Sequence, residues 1–486
     1  MKNYNLDNYL QDIETLGLKE TWDKILLFCS AEKTEFLNVD NFGELYEIGL
    51  AHVNKQSKKE LGKYFTPKDV ATLMSEWLIP LEGENVCDVC CGTGNLIVTY
   101  LNLLSREKVV DLLQNEKIHI YDIDPISLKI CKYSIAITYG MEYLDKVQVH
   151  CGDFLKENLP NNSKVISNPP YFKMTDISDD SSEVAKNTKE FYSAIMDRIL
   201  KQSISSVIIT PYSFISGNKF YSLRQEMNKH EGFIVSFDNV PGSIFNGRKY
   251  GIFNTNTSNS VRAAITVSFQ GNKGYRCSPL IRFKNNEREA VLKKEVLEEQ
   301  LSNFQNITDD NKEFAKINKT KEELFKKWKQ NKELSTIVKN GNYKLYMPNS
   351  CRYFTVASKK NLCRTGKYEL SFETEEDMLY AYCLINSSFC YWWWRIYDGG
   401  ITYPIGLLKR MPLIEVNNKD ELLLLAQEMI SNENKYLTYK TNAGKQQENI
   451  KFPKDYREKI NKLFLDSFGY ENDFLDEIHN NQFKDL

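Results

Sequence analysis

The chain is 486 residues long, 42% hydrophobic and 26% charged, which is the apolar content and length of about two or three ordinary domains. Its 63 Lys+Arg against 65 Asp+Glu leave a formal net charge of -2, which excludes a uniformly basic nucleic-acid or membrane-surface protein and asks any polyanionic partner for a local basic face. No apolar run nears the ~18 residues of a spanning helix, MKNYNLDNYLQDIE lacks the apolar stretch of a signal peptide, and 11 scattered cysteines, an odd count, read as reduced thiols, so a soluble cytoplasmic protein is expected.

Residues 1–60 are polar, with Leu45, Ile48 and Leu50 at helical spacing, and predict a helical N-terminal arm. From about 85 to 270 short β-rich runs (NVCDVC, KIHIYD, VQVHC, KVIS, SSVIIT, GFIVSF, VRAAITVSF) alternate with amphipathic helical patterns. That succession predicts an α/β domain over 61–270, a mostly parallel sheet with helices on its faces and an antiparallel pair at its end. Pro125 opens and Gly140 closes the ISLKICKYSIAITY helix. A second domain is expected over 271–414, charged and helical at first and then aromatic-rich, followed by a helical segment over 415–486.

The first β run ends in Asp88-Val89-Cys90-Cys91-Gly92-Thr93-Gly94 before a helical pattern, so Gly92 and Gly94 let the backbone approach a ligand at a strand-to-helix turn. The next run ends in Asp122-Ile123-Asp124-Pro125, placing an acid where ribose hydroxyls would be accepted, and the third ends in Gly152-Asp153-Phe154, an acceptor with an aromatic plane. Acids at the tips of successive strands, without a third glycine or a phosphate cradle, suit an adenosine carrying a sulfonium and an amino acid, S-adenosylmethionine, better than NAD or ATP. Cys87 and Cys90 are formally C-x-x-C but fall in the β run and its turn with no second pair nearby, so no metal site is expected.

The fourth run leads into Asn168-Pro169-Pro170-Tyr171. The prolines remove two backbone donors and hold Asn168 extended, so its amide and the Pro169 carbonyl project rigidly from the strand end. An exocyclic amino group on a base is a poor nucleophile because its lone pair is delocalised into the ring. Acceptors on both its protons would favour a pyramidal nitrogen, and Tyr171 would stack on an extruded base.

In this order the motifs resemble those of the DNA adenine-N6 methyltransferases of the restriction-modification type, in the subgroup whose target-recognition region follows the catalytic domain. Gly62-Lys63-Tyr64-Phe65-Thr66-Pro67 looks like that family's cofactor motif ahead of the first strand, and Thr210-Pro211-Tyr212-Ser213-Phe214 extends the match to about residue 270. The resemblance implies a Rossmann-like, doubly wound, seven-stranded S-adenosylmethionine-dependent methyltransferase sheet, with a C-terminal α+β target-recognition domain. It implies that Tyr64, Thr66 and Pro67 contact the cofactor, that Asp88 and Gly92 line its methionine part, and that Asp122 takes the ribose with Ile123 against the adenine. Asp153 and Phe154 would bind the adenine's amino edge and ring. Val89 and Cys90 stand where the family more often has proline and alanine. Asparagine ahead of P-P-Y favours adenine over cytosine N4 as target. The partners implied are double-stranded DNA and a separately encoded restriction endonuclease, with no membrane, in a bacterial or archaeal cytoplasm.

Local charge asymmetry supplies the basic face. Residues 239–286 hold Arg248, Lys249, Arg262, Lys273, Arg276, Arg282 and Lys284 without an acid, and 334–368 hold Lys339, Lys344, Arg352, Lys359, Lys360, Arg364 and Lys367, again without one. Arginine suits bidentate contacts with guanine and phosphate, so Arg248, Lys249, Arg276, Arg282, Arg352, Lys359 and Arg364 are the candidate DNA contacts. Trp392-Trp393-Trp394 fits a packed domain base better than a stacking platform, with Asp398 to Tyr403 as a candidate loop near DNA. The competing readings are an RNA guanine-N2 or protein glutamine methyltransferase, which share N-P-P-Y, and a non-catalytic DNA-binding subunit.

Overall fold

The computed structural model of the chain describes residues 66–239, 241–245, 249–250, 253–254, 261–308, 312–351, 354–398, 402–442 and 444–470, so the arm expected over 1–60 lies outside the described residues. The described residues form two compact units, one of 66–302 with 306–314 and the other of 303–305 with 315–470.

The first unit is built on one sheet of β1 (Asn85–Val89), β2 (Ile118–Asp122), β3 (Gln148–Cys151), β4 (Ser163–Ser167), β5 (Ser205–Pro211), β6 (Glu231–Phe237), β7 (Ala263–Phe269) and β8 (Gly274–Ile281). Their order across the sheet is β8-β6-β7-β5-β4-β1-β2-β3. β1 pairs in parallel with β2 and β4, β2 with β3 and β4 with β5, whereas β7 runs antiparallel to both β5 and β6. This is the doubly wound arrangement expected, with the chain reversing direction across the sheet between β1 and β4 so that a crevice opens at the strands' carboxyl ends. The seven expected strands are joined by an eighth: β8 continues the sheet in parallel beyond β6. The break expected near residue 271 therefore falls inside the first unit, because the apolar positions of YRCSPLI bury against the sheet core instead of beginning a new one.

Both faces of the sheet are covered. Val86, Ile166, Val207 and Ile209 face one core while Cys87, Val89, Val165 and Ile208 face the other, the two-residue alternation that buried central strands require. The first core is closed by α1 (Lys68–Leu78) through Leu73 and Trp77, α2 (Asn95–Asn102) through Leu96 and Ile97, α3 (Arg106–Gln114) through Leu112, and α4 (Pro125–Tyr139) through Leu128 and Cys131. The second is closed by α5 (Glu183–Thr188) through Val184, α6 (Phe191–Gln202) through Ile195 and Ile199, and α7 (Tyr221–Met227) through Leu223. Beyond β8, α8 (Lys294–Ser302) returns Leu297 and Leu301 to the first core. Each such side chain contributes roughly 1.5–3 kcal/mol. α4 begins where expected: Asp124 caps the Ile126 N–H at 3.0 Å, Pro125 takes the first helical position and Gly140 (φ +144°) ends the helix.

The second unit contains α9 (Glu322–Lys329), the antiparallel pair β9 (Tyr343–Pro348) and β10 (Lys367–Phe372), α10 (Glu375–Asn386), α11 (Ser388–Tyr397), α12 (Ile405–Lys409) and α13 (Lys419–Ser431). A hairpin of β11 (Leu437–Asn442) and β12 (Lys445–Ile450) then leads to α14 (Lys454–Phe468), so the segment expected to be helical over 415–486 is interrupted by a β-ribbon. The β-branched and aromatic residues of LTYKT, followed by Gly444 at φ +75°, favour the ribbon over helix. Trp392, Trp393 and Trp394 are buried within α11, and Trp328 of α9 stacks on Trp392 at 5.6 Å and meets Trp393 edge-on at 5.4 Å. The triple tryptophan is thus core. Tyr403, placed by expectation in a loop near DNA, is fully buried and stacks on Trp394 at 5.5 Å. Among the described residues no helix is long and apolar enough to cross a membrane.

Candidate active site

The turn after β1 needs its glycines. Cys90, Gly92 and Gly94 have φ of +60°, +53° and +90°, and a Cβ on Gly94 would come within 2.3 Å of Cys131 Sγ on α4. The Gly92 N–H donates to Asp122 Oδ2 at 2.8 Å and the Asp124 N–H to Asp122 Oδ1 at 2.9 Å, so one carboxylate ties the glycine turn to the tip of β2. Behind the turn, Asp88 is fully buried. Its Oδ2 accepts the Ile97 N–H at 3.0 Å, and its Oδ1 has no hydrogen-bond partner. Burial pushes the Asp88 carboxyl well above the usual range, the Asp122 charge adds to this, and the Ile97 amide opposes it.

These elements border a cavity of about 290 Å³ lined by Thr66, Cys90, Cys91, Gly92, Thr93, Asn95, Leu96, Tyr121, Asp122, Ile123, Gly152, Asp153, Phe154, Asn168, Pro170, Phe172 and Phe191. Ile123 is 69% exposed at its rim. Asp153 Oδ1 accepts the Leu155 N–H at 3.0 Å, which starts the short turn carrying Phe154. Phe154 meets the Tyr121 ring edge-on at 5.3 Å, and Tyr121 lies flat on His150 at 4.1 Å. His150 Nε2 is in turn 3.2 Å from His119 Nδ1. Burial first, and then the neighbouring His150, pushes the His119 ring down to about 4.

At the end of β4, Asn168 is half-buried and held on two sides. Its Nδ2 donates to Thr66 Oγ1 at 2.8 Å, and its Oδ1 accepts the Tyr171 hydroxyl at 2.8 Å. Tyr171 also reaches the Ile209 carbonyl at 3.1 Å, and its ring packs edge-on against Tyr192 and Phe245, both at 6.0 Å. Thr66 is fixed from behind, its carbonyl accepting Asn95 Nδ2 at 2.5 Å.

Most expected cofactor residues converge: Thr66, Gly92, Asp122, Ile123, Asp153 and Phe154 all border the cavity, as do Asn168 and Pro170. Asp88, Gly94, Pro67, Pro169 and Tyr171 do not line it. Asp88 and Gly94 shape the turn from behind, Pro67 precedes α1 at φ -58°, and Pro169 is buried beside Asn168. Tyr64 lies outside the described residues. The structure brings in residues that sequence reasoning missed. Asn95 directly follows the glycine turn and Phe172 directly follows N-P-P-Y, so adjacency to a motif was a usable signal for both. Phe191 carried none: it arrives from α6, stacks on Phe172 at 4.5 Å, and its N–H bonds the Phe172 carbonyl at 3.0 Å.

The expected DNA contacts separate. Arg276 is exposed on β8 and Lys359 is exposed in the second unit, where its N–H is held by Glu433 Oε1 at 2.6 Å. Arg364 is half-buried, donates from Nη1 to Asn449 Oδ1 at 2.6 Å, and is lowered from its ordinary pKa by burial. Arg282 is corrected: its Nε bonds the buried Asp238, which also binds Arg262 Nε at 2.7 Å, so its guanidinium serves an internal ion pair. Arg248 and Arg352 lie outside the described residues. Lys249 is described only through its backbone, in a two-residue strand.

Comparison with known proteins gives a family match over residues 37–352, to the N-6 DNA Methylase model. The type I restriction enzyme MpnII methylase subunit of Mycoplasma pneumoniae is 23% identical over 262 residues, 48% of this chain and 46% of that protein. The type II methyltransferase M.VspI of a Vibrio species is 27% identical over 146 residues, 28% of this chain and 33% of that protein. The chain therefore spans less than half the length of these relatives. Among solved structures, the DNA-bound ATP-dependent Type ISP restriction-modification enzyme LlaBIII aligns over 91% of this chain and 44% of its own, at 13% identity and a TM-score of 0.47.

Proposed function

The chain belongs to the N-6 DNA methylase family, and from that premise we propose that it transfers a methyl group from S-adenosylmethionine to N6 of an adenine flipped out of double-stranded DNA. The observation that carries this reading is the anchored Asn168 amide bordering the same cavity as Asp122 and Asp153.

The cavity's chemistry fits the cofactor. The Gly92 amide is turned to Asp122 instead of to open space, so the turn offers no nest for a polyphosphate, and acids at two strand tips, Asp122 and Asp153, suit a cation. Asp122 would take the ribose hydroxyls, Ile123 and Phe154 the adenine faces, and Asp153 its amino edge. Thr66, Gly92 and Thr93 would hold the amino-acid end. When bound, S-adenosylmethionine supplies an electrophilic methyl on a sulfonium. The chain's own task is to make the target amine nucleophilic. Asn168 Oδ1 and the Pro169 carbonyl are the two acceptors for its protons, and they draw the nitrogen toward a pyramidal form. The alkylated nitrogen is then acidic and sheds a proton to water, so no strong base is required. The apolar wall of Phe172 and Phe191 excludes water from one side of the cavity.

We place the protein in a type II restriction-modification arrangement, in which the second compact unit of the same chain reads the DNA. The test is to express it in a bacterial strain lacking DNA methylases and map modified bases by single-molecule sequencing. N6-methyladenine at one short motif is expected, and Asn168→Ala should lower methylation by at least about a hundredfold while leaving DNA binding in place. An unmodified genome from folded, cofactor-binding protein would overturn the DNA reading in favour of an RNA or protein substrate. Methylation appearing only with an added specificity subunit would move the protein to a type I arrangement.

A further inference from the structure

The second unit also carries the antiparallel β11–β12 ribbon. Its base is anchored: Leu437 and Ile450 pack with Val356, Leu362, Tyr436 and Phe452, the Glu448 N–H donates to the Cys363 carbonyl at 3.0 Å, and Glu448 Oε2 accepts the Cys363 N–H at 2.8 Å. The outer half extends away from that cluster, with Thr438, Tyr439, Lys440 and Thr441 exposed, Tyr439 by 60%. Two-stranded ribbons are marginal in water and their open edges invite association, so an exposed one with a well-tethered base is most simply explained by a partner that covers it.

Register decides what the partner meets. Leu437 pairs with Ile450, Thr438 with Asn449, Tyr439 with Glu448 and Lys440 with Gln447. Side chains alternate across a strand, so Leu437, Ile450, Tyr439 and Glu448 share one face and Thr438, Asn449, Lys440 and Gln447 share the other. The second face carries no apolar group and no acid: it consists of a hydroxyl, two amides and an ammonium, and Arg364 of the basic 334–368 stretch bonds Asn449 at 2.6 Å on that face. From 437 to 447 the sequence has Lys440 and Lys445 and no acid.

We propose that the β11–β12 ribbon enters the major groove of duplex DNA with its Thr438–Lys440–Gln447 face toward the base edges. The dimensions agree: two strands ~4.8 Å apart and about 20 Å long fit a groove ~12 Å wide and ~8.5 Å deep, which admits a two-stranded β-ribbon. The chemistry agrees as well. Glutamine pairs bidentately with adenine, lysine with guanine or phosphate, and threonine with either donors or the thymine methyl. The inference rests on the proposed function in taking DNA as the substrate, and it names the element that reads it.

The test uses the full chain and a duplex carrying the motif identified by sequencing. Lys440→Ala should reduce the slope of log affinity against log salt by about 0.9, the value of one lost phosphate contact, and Lys440→Arg should restore most of it. Gln447→Ala should relax discrimination at one base pair by about ten- to a hundredfold, visible as a broadened methylated motif. Thermal unfolding of each variant confirms that the fold survives, and Thr438→Ser serves as a second, milder probe of the same face. Unchanged salt slope and motif in variants of an active wild type would overturn the ribbon as the reader. The same result accompanied by loss of a wild-type dimer would assign the ribbon to self-association. A wild-type chain that neither binds nor methylates duplex DNA would overturn the proposed function itself and this inference with it.

Discussion

Thr66 Oγ1 sits 2.8 Å from Asn168 Nδ2 across 102 residues of sequence, joining the segment ahead of the first strand to the tip of the fourth. An asparagine amide has an oxygen end and a nitrogen end, and only one orientation presents an acceptor to the target amine. Thr66 Oγ1 accepts from the nitrogen end and the Tyr171 hydroxyl donates to the oxygen end. Thr66→Val keeps the shape but removes both the acceptor and a proposed cofactor contact, so kcat should fall about ten- to a hundredfold and KM for S-adenosylmethionine should rise with it. Thr66→Ser should recover most of the loss. Steady-state kinetics with both substrates varied reads the split, and a change in KM alone would make Thr66 a cofactor contact only.

Gly94 is required twice over, by its φ of +90° and by Cys131 Sγ standing 2.3 Å from where a Cβ would lie. Gly94→Ala should cost about 2–4 kcal/mol in unfolding free energy and loosen the turn that Asp122 holds. Adding Cys131→Ala relieves the collision but not the backbone strain, so calorimetry should show the double variant recovering part of the loss and no more.

The His119–His150 pair makes the β2–β3 edge acid-sensitive. Burial and then His150 lower the folded His119 from 6.5 to about 4, and burial lowers His150 as well. The unfolded rings therefore bind more protons in that window, and stability falls as pH drops from about 6.5 toward 4. With the half-buried ring screened by solvent, the loss is on the order of 1–2 kcal/mol. Because Tyr121 lies on His150 and borders the cavity, cofactor affinity should weaken over the same range. His119→Phe should flatten the pH dependence of the melting temperature between those limits, which scanning calorimetry at a series of pH values measures directly.

Asp238 and Arg276 separate stability from binding. Asp238 is 1% exposed and holds Arg262 and Arg282, so Asp238→Ala removes the buried carboxylate that both arginines share and should destabilise by about 3–5 kcal/mol. Arg282→Ala should likewise lower the melting temperature while leaving the salt dependence of DNA binding nearly unchanged. Arg276→Ala, on an exposed edge-strand position, should do the reverse and reduce the salt slope by about 0.9. Titrations by fluorescence anisotropy at several ionic strengths distinguish the two arginines.

What the sequence determined by itself is what local order encodes. The alternation of buried runs such as KVIS and SSVIIT specifies strands covered on both faces, the G-x-G turn and Asp-Pro cap specify their exits, and acids at successive strand tips mark one end of the sheet as the site. These signals lie within a few residues of one another, and backbone geometry translates them almost directly. Only the tertiary structure decided which distant side chains meet. The acid-free window of 239–286 opens one residue after Asp238, the acid that takes up Arg262 and Arg282, so a count of charges along the chain could not see the pairing. Phe191 reaches Phe172, Thr66 reaches Asn168, and Gly274–Ile281 joins the sheet instead of beginning a second domain, each through contacts whose partners are remote in sequence. The sequence predicts helix where the β11–β12 ribbon stands because its strands are short and mostly polar, and their register, which sorts Lys440 and Gln447 to one side, exists only once the two strands have paired.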